Sequence, residues 1–149
     1  MPRLRPTVIA ASLLLTPACK ATVGNPPGAA MTWEQMNFQE RRAHMTRVVL
    51  PQMKAVFQAH DPERFANFGC QTCHGQGSAD GSFAMPNPDL MQFPRRGFKQ
   101  EVYVPHREMV RFMWGEVQPK MAELLGMRES KYGRGAGFSC RNCHVRKDS

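Results

Sequence analysis

Long apolar runs are nearly absent from this chain. The most apolar stretch, Val8 to Leu15, falls far short of the about 20 residues that a bilayer-spanning helix needs, so no transmembrane segment is expected. Carboxylates are the minority charge: 12 Asp and Glu face 20 Lys and Arg, a formal charge of +8. Cysteine is sparse, with five residues, and four of them fall in two widely separated Cys-x-x-Cys pairs. A zinc ribbon brings its pairs together over roughly 15–20 residues, and the segment from Cys73 to Cys140 is far longer. A thioredoxin-type redox pair sits in alternating strands and helices, and no such pattern surrounds either pair. What the chain has in quantity is Gly and Pro, twelve of each, in 149 residues that are 42% hydrophobic. That describes one loop-rich domain, or two very small ones, with a modest core of the kind that usually needs a staple or cofactor.

Each Cys pair is completed by a histidine: Cys70-Gln71-Thr72-Cys73-His74 and Cys140-Arg141-Asn142-Cys143-His144. Cys-x-x-Cys-His is the attachment motif of c-type haem. The chemistry sets the spacing. Thiols three positions apart can each add to one vinyl group of the macrocycle, and the next residue presents an imidazole to the iron. Two copies predict two covalently attached haem c groups, one held by Cys70 and Cys73 and one by Cys140 and Cys143. His74 and His144 are then the proximal iron ligands, and the haems form much of the missing core.

Arg3 and Arg5, the apolar run and the small residues after it read as an export signal over residues 1–18. Thr16-Pro17-Ala18-Cys19 is similar to a bacterial lipoprotein processing site, with Cys19 as the lipidated mature N-terminus. Residues 19–31 lack periodicity and read as a flexible tether. Four thioether partners and one acylated residue account for all five cysteines. The expected location is extracytoplasmic, on a bacterial membrane through the lipid anchor, which also suits c-type haem attachment. Export argues against nucleic acid, a common partner of basic chains. Loss of Arg3 and Arg5 lowers the charge from +8 to +6, and the four propionates of two haems bring it near +2. Arg41-Arg42, Arg95-Arg96 and Arg146-Lys147 are candidates for docking an acidic redox partner or anionic lipid, beside the plainer reading of scattered solvated charge.

Thr32 with Gln35 predicts a capping box, and Met31 with Met36 a hydrophobic staple, at the start of a helix. Met45, Val48, Val49, Met53, Val56 and Phe57 then recur on one helix face. Pro51 predicts a kink or a fresh helix start. Shifted by 68 residues the pattern returns: Met45 falls on Met113, Val49 on Val117, Pro51 on Pro119, Met53 on Met121, and Val56-Phe57 on Leu124-Leu125. Val110 and Trp114 join the second face. From Phe68 onward the offset is 70, which sets Phe68 on Phe138 and His74 on His144. The expected fold is mainly α: two tandem helix–turn–Cys-x-x-Cys-His units, about 32–75 and 105–146, within one dihaem domain over 32–149. A Gly- and Pro-rich loop from Gly75 to Val104 joins them, long enough to pack on a haem face or edge.

Met53 and Met121 are the leading candidates for the opposite axial position. Each stands two places after the repeated Pro, 17 and 19 residues before its first motif Cys. A thioether favours ferrous iron, raises the potential and closes the site to dioxygen. A Met at helical spacing is also ordinary core filler. Met45 and Met113 are rivals on the repeat, Met85 precedes a Pro as in small monohaem cytochromes, and His44, His60 and His106 could supply a second imidazole.

A helix with a ligand Met, a turn and Cys-x-x-Cys-His, repeated behind a lipoprotein signal, resembles half of the tetrahaem cytochrome c subunit of photosynthetic reaction centres. The resemblance covers roughly residues 40–74 and 108–144. It implies that Met53 and Met121 are the distal ligands, that Cys19 carries the anchor, and that electrons pass from haem to haem. The expected role is electron transfer to or from redox partner proteins, such as a membrane redox complex, with no small-molecule substrate. The alternative is a dihaem peroxidase-like enzyme or haem sensor with one five-coordinate iron.

Overall fold

The structure, a computed structural model, describes residues 31–130 and 136–147. The chain divides into the units Met1–Ala30 and Met31–Ser149. The export signal, Cys19 and the tether up to residue 30 lie outside the described residues. Asn37 starts the first long helix. Its side chain accepts the Glu40 N–H at 3.0 Å while the Glu40 carboxylate accepts the Asn37 N–H at 2.7 Å, a reciprocal cap for two otherwise orphaned donors. The Thr32–Gln35 pair closes only a turn: Gln35 Oε1 accepts the Thr32 N–H at 2.9 Å, and the helix begins after Asn37.

The helical elements are α1 (Phe38–His44), a π turn (Met45–Val49), α2 (Leu50–His60), α3 (Cys70–His74), α4 (Gln76–Asp80), a π turn (Lys99–Tyr103), α5 (Arg107–Phe112), a π turn (Met113–Val117), α6 (Gln118–Leu124) and a 3₁₀ turn (Cys140–Asn142). The described residues are mainly helical, and their only extended pairings are isolated bridges. None of these helices is long and apolar enough to cross a membrane.

Neither repeated proline breaks its helix. A proline ring meets the carbonyl four residues back; a π turn relieves that meeting by inserting one residue. Each of the three π turns ends one residue before an X-Pro bond, and X donates the five-residue hydrogen bond: Leu50 to Met45, Val104 to Lys99, Gln118 to Met113. The 68-residue repeat thus reproduces a backbone irregularity as well as side chains. The extra residue also turns the following face by roughly 100°. Trp114, expected on the buried face, is 40% exposed, while Phe112, Gln118 and Ala122 are buried.

The two long helices meet reciprocally. α2 packs on the π turn Met113–Val117, and α6 packs on the π turn Met45–Val49, as two equivalent units related by a pseudo-two-fold axis would. Val49, Met53, Phe57, Phe68, Phe112 and Leu125 belong to the resulting core, with Met45, Met113, Met121, Cys73 and Cys143 packed against it. Phe57 lies 4.7 Å from Phe68 and 5.1 Å from Phe112 between ring centres. Phe68 is two residues before Cys70, so this aromatic cluster seats the first motif on the helices.

Candidate haem-binding site

Both motifs are single helical turns with the same internal brace. Thr72 Oγ1 accepts the Gly69 N–H at 3.0 Å, and Asn142 Oδ1 accepts the Ser139 N–H at 2.8 Å. The second variable residue of each Cys-x-x-Cys-His therefore ties back to the residue before its first Cys. On such a turn, positions i and i+3 share one face, which is what paired attachment to one macrocycle requires. All four thiols are free.

The thiols sit at graded depth. Cys70 is exposed, whereas burial, reinforced by the neighbouring Cys70, pushes the Cys73 thiol up to about 11. Burial likewise pushes Cys143 up to about 12, with Cys73 and then Cys140 adding repulsion. Cys73 and Cys143 pack against the same core. Cys140 is raised too, chiefly by burial, and its Sγ donates to Gln118 Oε1 at 3.0 Å.

The 75–104 loop holds the motifs together and meets both histidines. The Asn87 amide donates to the Cys73 carbonyl, and its backbone N–H donates to the Cys143 carbonyl, both at 2.9 Å. Asn87 is only 3% exposed. His144 Nδ1 lies 2.8 Å from the Met91 carbonyl, and the Phe93 ring stacks on its imidazole at 4.7 Å and 18°. His74 Nδ1 is buried with no hydrogen-bond partner. The Phe83 backbone lies near enough to draw its pKa upward, against a larger downward pull from burial, without reaching bonding geometry. Phe83 adopts a left-handed φ of 49°, a costly conformation for an aromatic residue, and sets its ring edge-on to His74 at 5.4 Å.

This donor set fits c-type haem. An imidazole fixed through Nδ1–H by a carbonyl presents Nε2 as a metal ligand in the correct tautomer, as at His144. At His74 the orphaned Nδ1 and the adjacent Phe83 backbone make a looser version. Met53, 3% exposed, and the half-buried Met121 lie with Cys73 and Cys143 in one apolar cluster, while the imidazoles meet the loop. Among the described residues, no three His, Cys, Asp or Glu side chains converge as a metal cage.

Among the rival ligands, Met45 and Met113 pack on the core. His44 Nε2 is engaged with the Leu124 carbonyl at 2.8 Å, and His60 stacks on Phe112 at 3.9 Å. Asn87, Gln118 and the Met91 carbonyl carry no motif and escape a reading of the sequence; only the length of the loop hints at them. No model of a protein family, no curated protein and no solved structure matches this chain.

Proposed function

We propose that this protein is a lipid-anchored extracytoplasmic dihaem c-type cytochrome that relays single electrons, similar to half of the reaction-centre cytochrome subunit. The observation that carries the reading is the joining of both Cys-x-x-Cys-His turns through Asn87, with one loop meeting both imidazoles. Two unrelated motif matches would have no reason to share a buried clamp.

Haem, when bound, supplies one-electron chemistry. The rest falls to the chain. Cys70, Cys73, Cys140 and Cys143 would hold the macrocycles covalently, and His74 and His144 would ligate iron through Nε2. Hydrogen bonding at Nδ1 strengthens the imidazole as a donor, so the Met91 carbonyl tunes the second site. Met53 and Met121, packed in the apolar cluster, would supply thioether sulfurs to the irons. Asn87 fixes the spacing of the two turns.

Expression in a host with haem-attachment machinery tests this. The expected product carries two covalent haems by mass, loses one with each Cys-pair substitution, and does not bind carbon monoxide when reduced. Carbon monoxide binding at one site would move the reading to the enzyme or sensor class. Cys19→Ser is expected to release the protein from the membrane fraction; retention there would remove lipidation as the anchor.

A further inference from the structure

We propose that the aromatic face built from Phe98, Tyr103 and Trp114 docks the acidic surface of a one-electron carrier protein, at the His144 end of the molecule. This rests on the haem reading above.

The face begins at the half-buried His144 imidazole. Phe93 stacks on the His144 imidazole, Phe98 packs edge-on to Phe93 at 5.3 Å, Trp114 stacks on Phe98 at 5.8 Å, and Tyr103 stacks on Trp114 at 6.0 Å. An unbroken series of ring contacts thus runs from the imidazole to the surface, where Trp114 is 40% exposed. Trp114 lies outside the hydrophobic core cluster, and its indole reaches inward to the Cys140 thiol. Its counterpart 68 residues earlier is Thr46, an exposed polar residue on the equivalent π turn, so the second unit has an indole where the first has an ordinary surface side chain. Met91 and Val104, from the segments flanking this stack, are 41% and 51% exposed. Scattered apolar residues on a surface are normal, but an exposed indole stacked on two further aromatic rings marks an interaction site.

Charge selects the partner. Residues 93–117 with Arg146 and Lys147 carry seven Lys and Arg against three Glu, and one of those, Glu101, pairs with Lys147 at 3.4 Å. The Arg107 guanidinium lies 5.8 Å from the Tyr103 ring centre, at the edge of the aromatic face. An aromatic centre with a cationic rim excludes water at the middle of an interface and steers an anionic surface onto it. Trp, Tyr and basic residues also suit a membrane surface. The stack leading inward to His144 favours a redox protein. One electron crosses, the carrier being its source or acceptor, and no bond or proton changes hands.

Two measurements on the full-length haem-loaded protein test this. Hexacyanochromate(III), a redox-inert paramagnetic anion, is expected to broaden the indole resonance of Trp114 and not that of Trp33, assigned through Trp33→Phe, with the effect abolished in Arg96→Glu/Arg107→Glu. Flavodoxin, as an acidic one-electron carrier, is expected to bind at low salt and to lose at least about tenfold in affinity both in that variant and near 0.3 M salt. The proposal is overturned if Trp33 or neither indole responds, if flavodoxin does not bind or is indifferent to charge reversal, or if the variant loses binding only to phosphatidylglycerol vesicles. Missing haem absorbance would sink the relay reading alone; a silent Trp114 in haem-loaded protein would sink the docking face alone.

Discussion

The side-chain amide of Asn87 donates to the carbonyl of Cys73 at 2.9 Å, from a residue that is almost wholly buried. Its Oδ1 accepts the Asp89 N–H at 2.9 Å, so its polar atoms are used in both directions. Asn87→Ala would strand the Cys73 carbonyl and the Asp89 N–H, at a cost of about 1–3 kcal/mol. Gly75 adds a second check: at φ +51° an added Cβ would collide with Asp89 Oδ2 and Asn87 Nδ2, so Gly75→Ala is expected to destabilise through the same clamp. Thermal melts should show a lower Tm for both variants. An unchanged Tm for Asn87→Ala would mean that the two turns are held by something else.

The repeat was the most legible feature of this sequence because it is written in side chains that meet the core. Met45, Val49, Pro51 and Met53 return at one offset, and in three dimensions their units pack reciprocally. The π turns were not legible, since a proline in a helical pattern announces trouble without saying how the backbone resolves it. Asn87 acts as a donor to two backbone carbonyls and Met91 through its own carbonyl, and neither leaves a periodic trace.

Met53 and Met121 should separate packing from ligation. Truncating a buried Met to Ala costs about 2–5 kcal/mol from lost burial and the cavity left; half-buried Met121 should cost less than Met53. In the haem-loaded protein, ligation adds what packing cannot: each Met→Ala variant should lower one reduction potential, leave the other nearly in place and admit carbon monoxide. Met53→Ala with a lower Tm and both potentials unchanged would assign Met53 to the core and return attention to Met45, Met85 or a histidine.

In the haem-free chain the thiols should react in order of depth. The thiolate is the nucleophile, and burial holds Cys73 and Cys143 at about 11 and about 12, so near pH 8 they stay protonated. Exposed Cys70 should be alkylated first, as peptide mass mapping of a timed iodoacetamide reaction would reveal. The same protonation slows any addition by the folded chain's buried thiols, so on the haem reading attachment is expected before the core packs. Equal labelling of Cys143 and Cys70 would contradict the burial of the Cys143 thiol.

The pH profile of stability should distinguish the haem-free from the haem-loaded protein. Burial lowers His74 and His144 below their ordinary value near 6.5. Below about pH 6.5 the unfolded chain takes up protons that the folded imidazoles refuse, so stability falls with acid and is fully present above that point. The Cys73 and Cys143 thiols are raised from 9.0; above that pH the unfolded thiols ionise while the folded ones do not, and stability falls again with alkali. Denaturant titrations of the haem-free chain should therefore show a plateau between about pH 6.5 and 9. Thioethers cannot ionise, and an imidazole held by iron resists protonation, so both contributions should vanish on haem attachment. A haem-loaded protein that kept the alkaline limb would still have free Cys73 or Cys143, which would place its haem elsewhere.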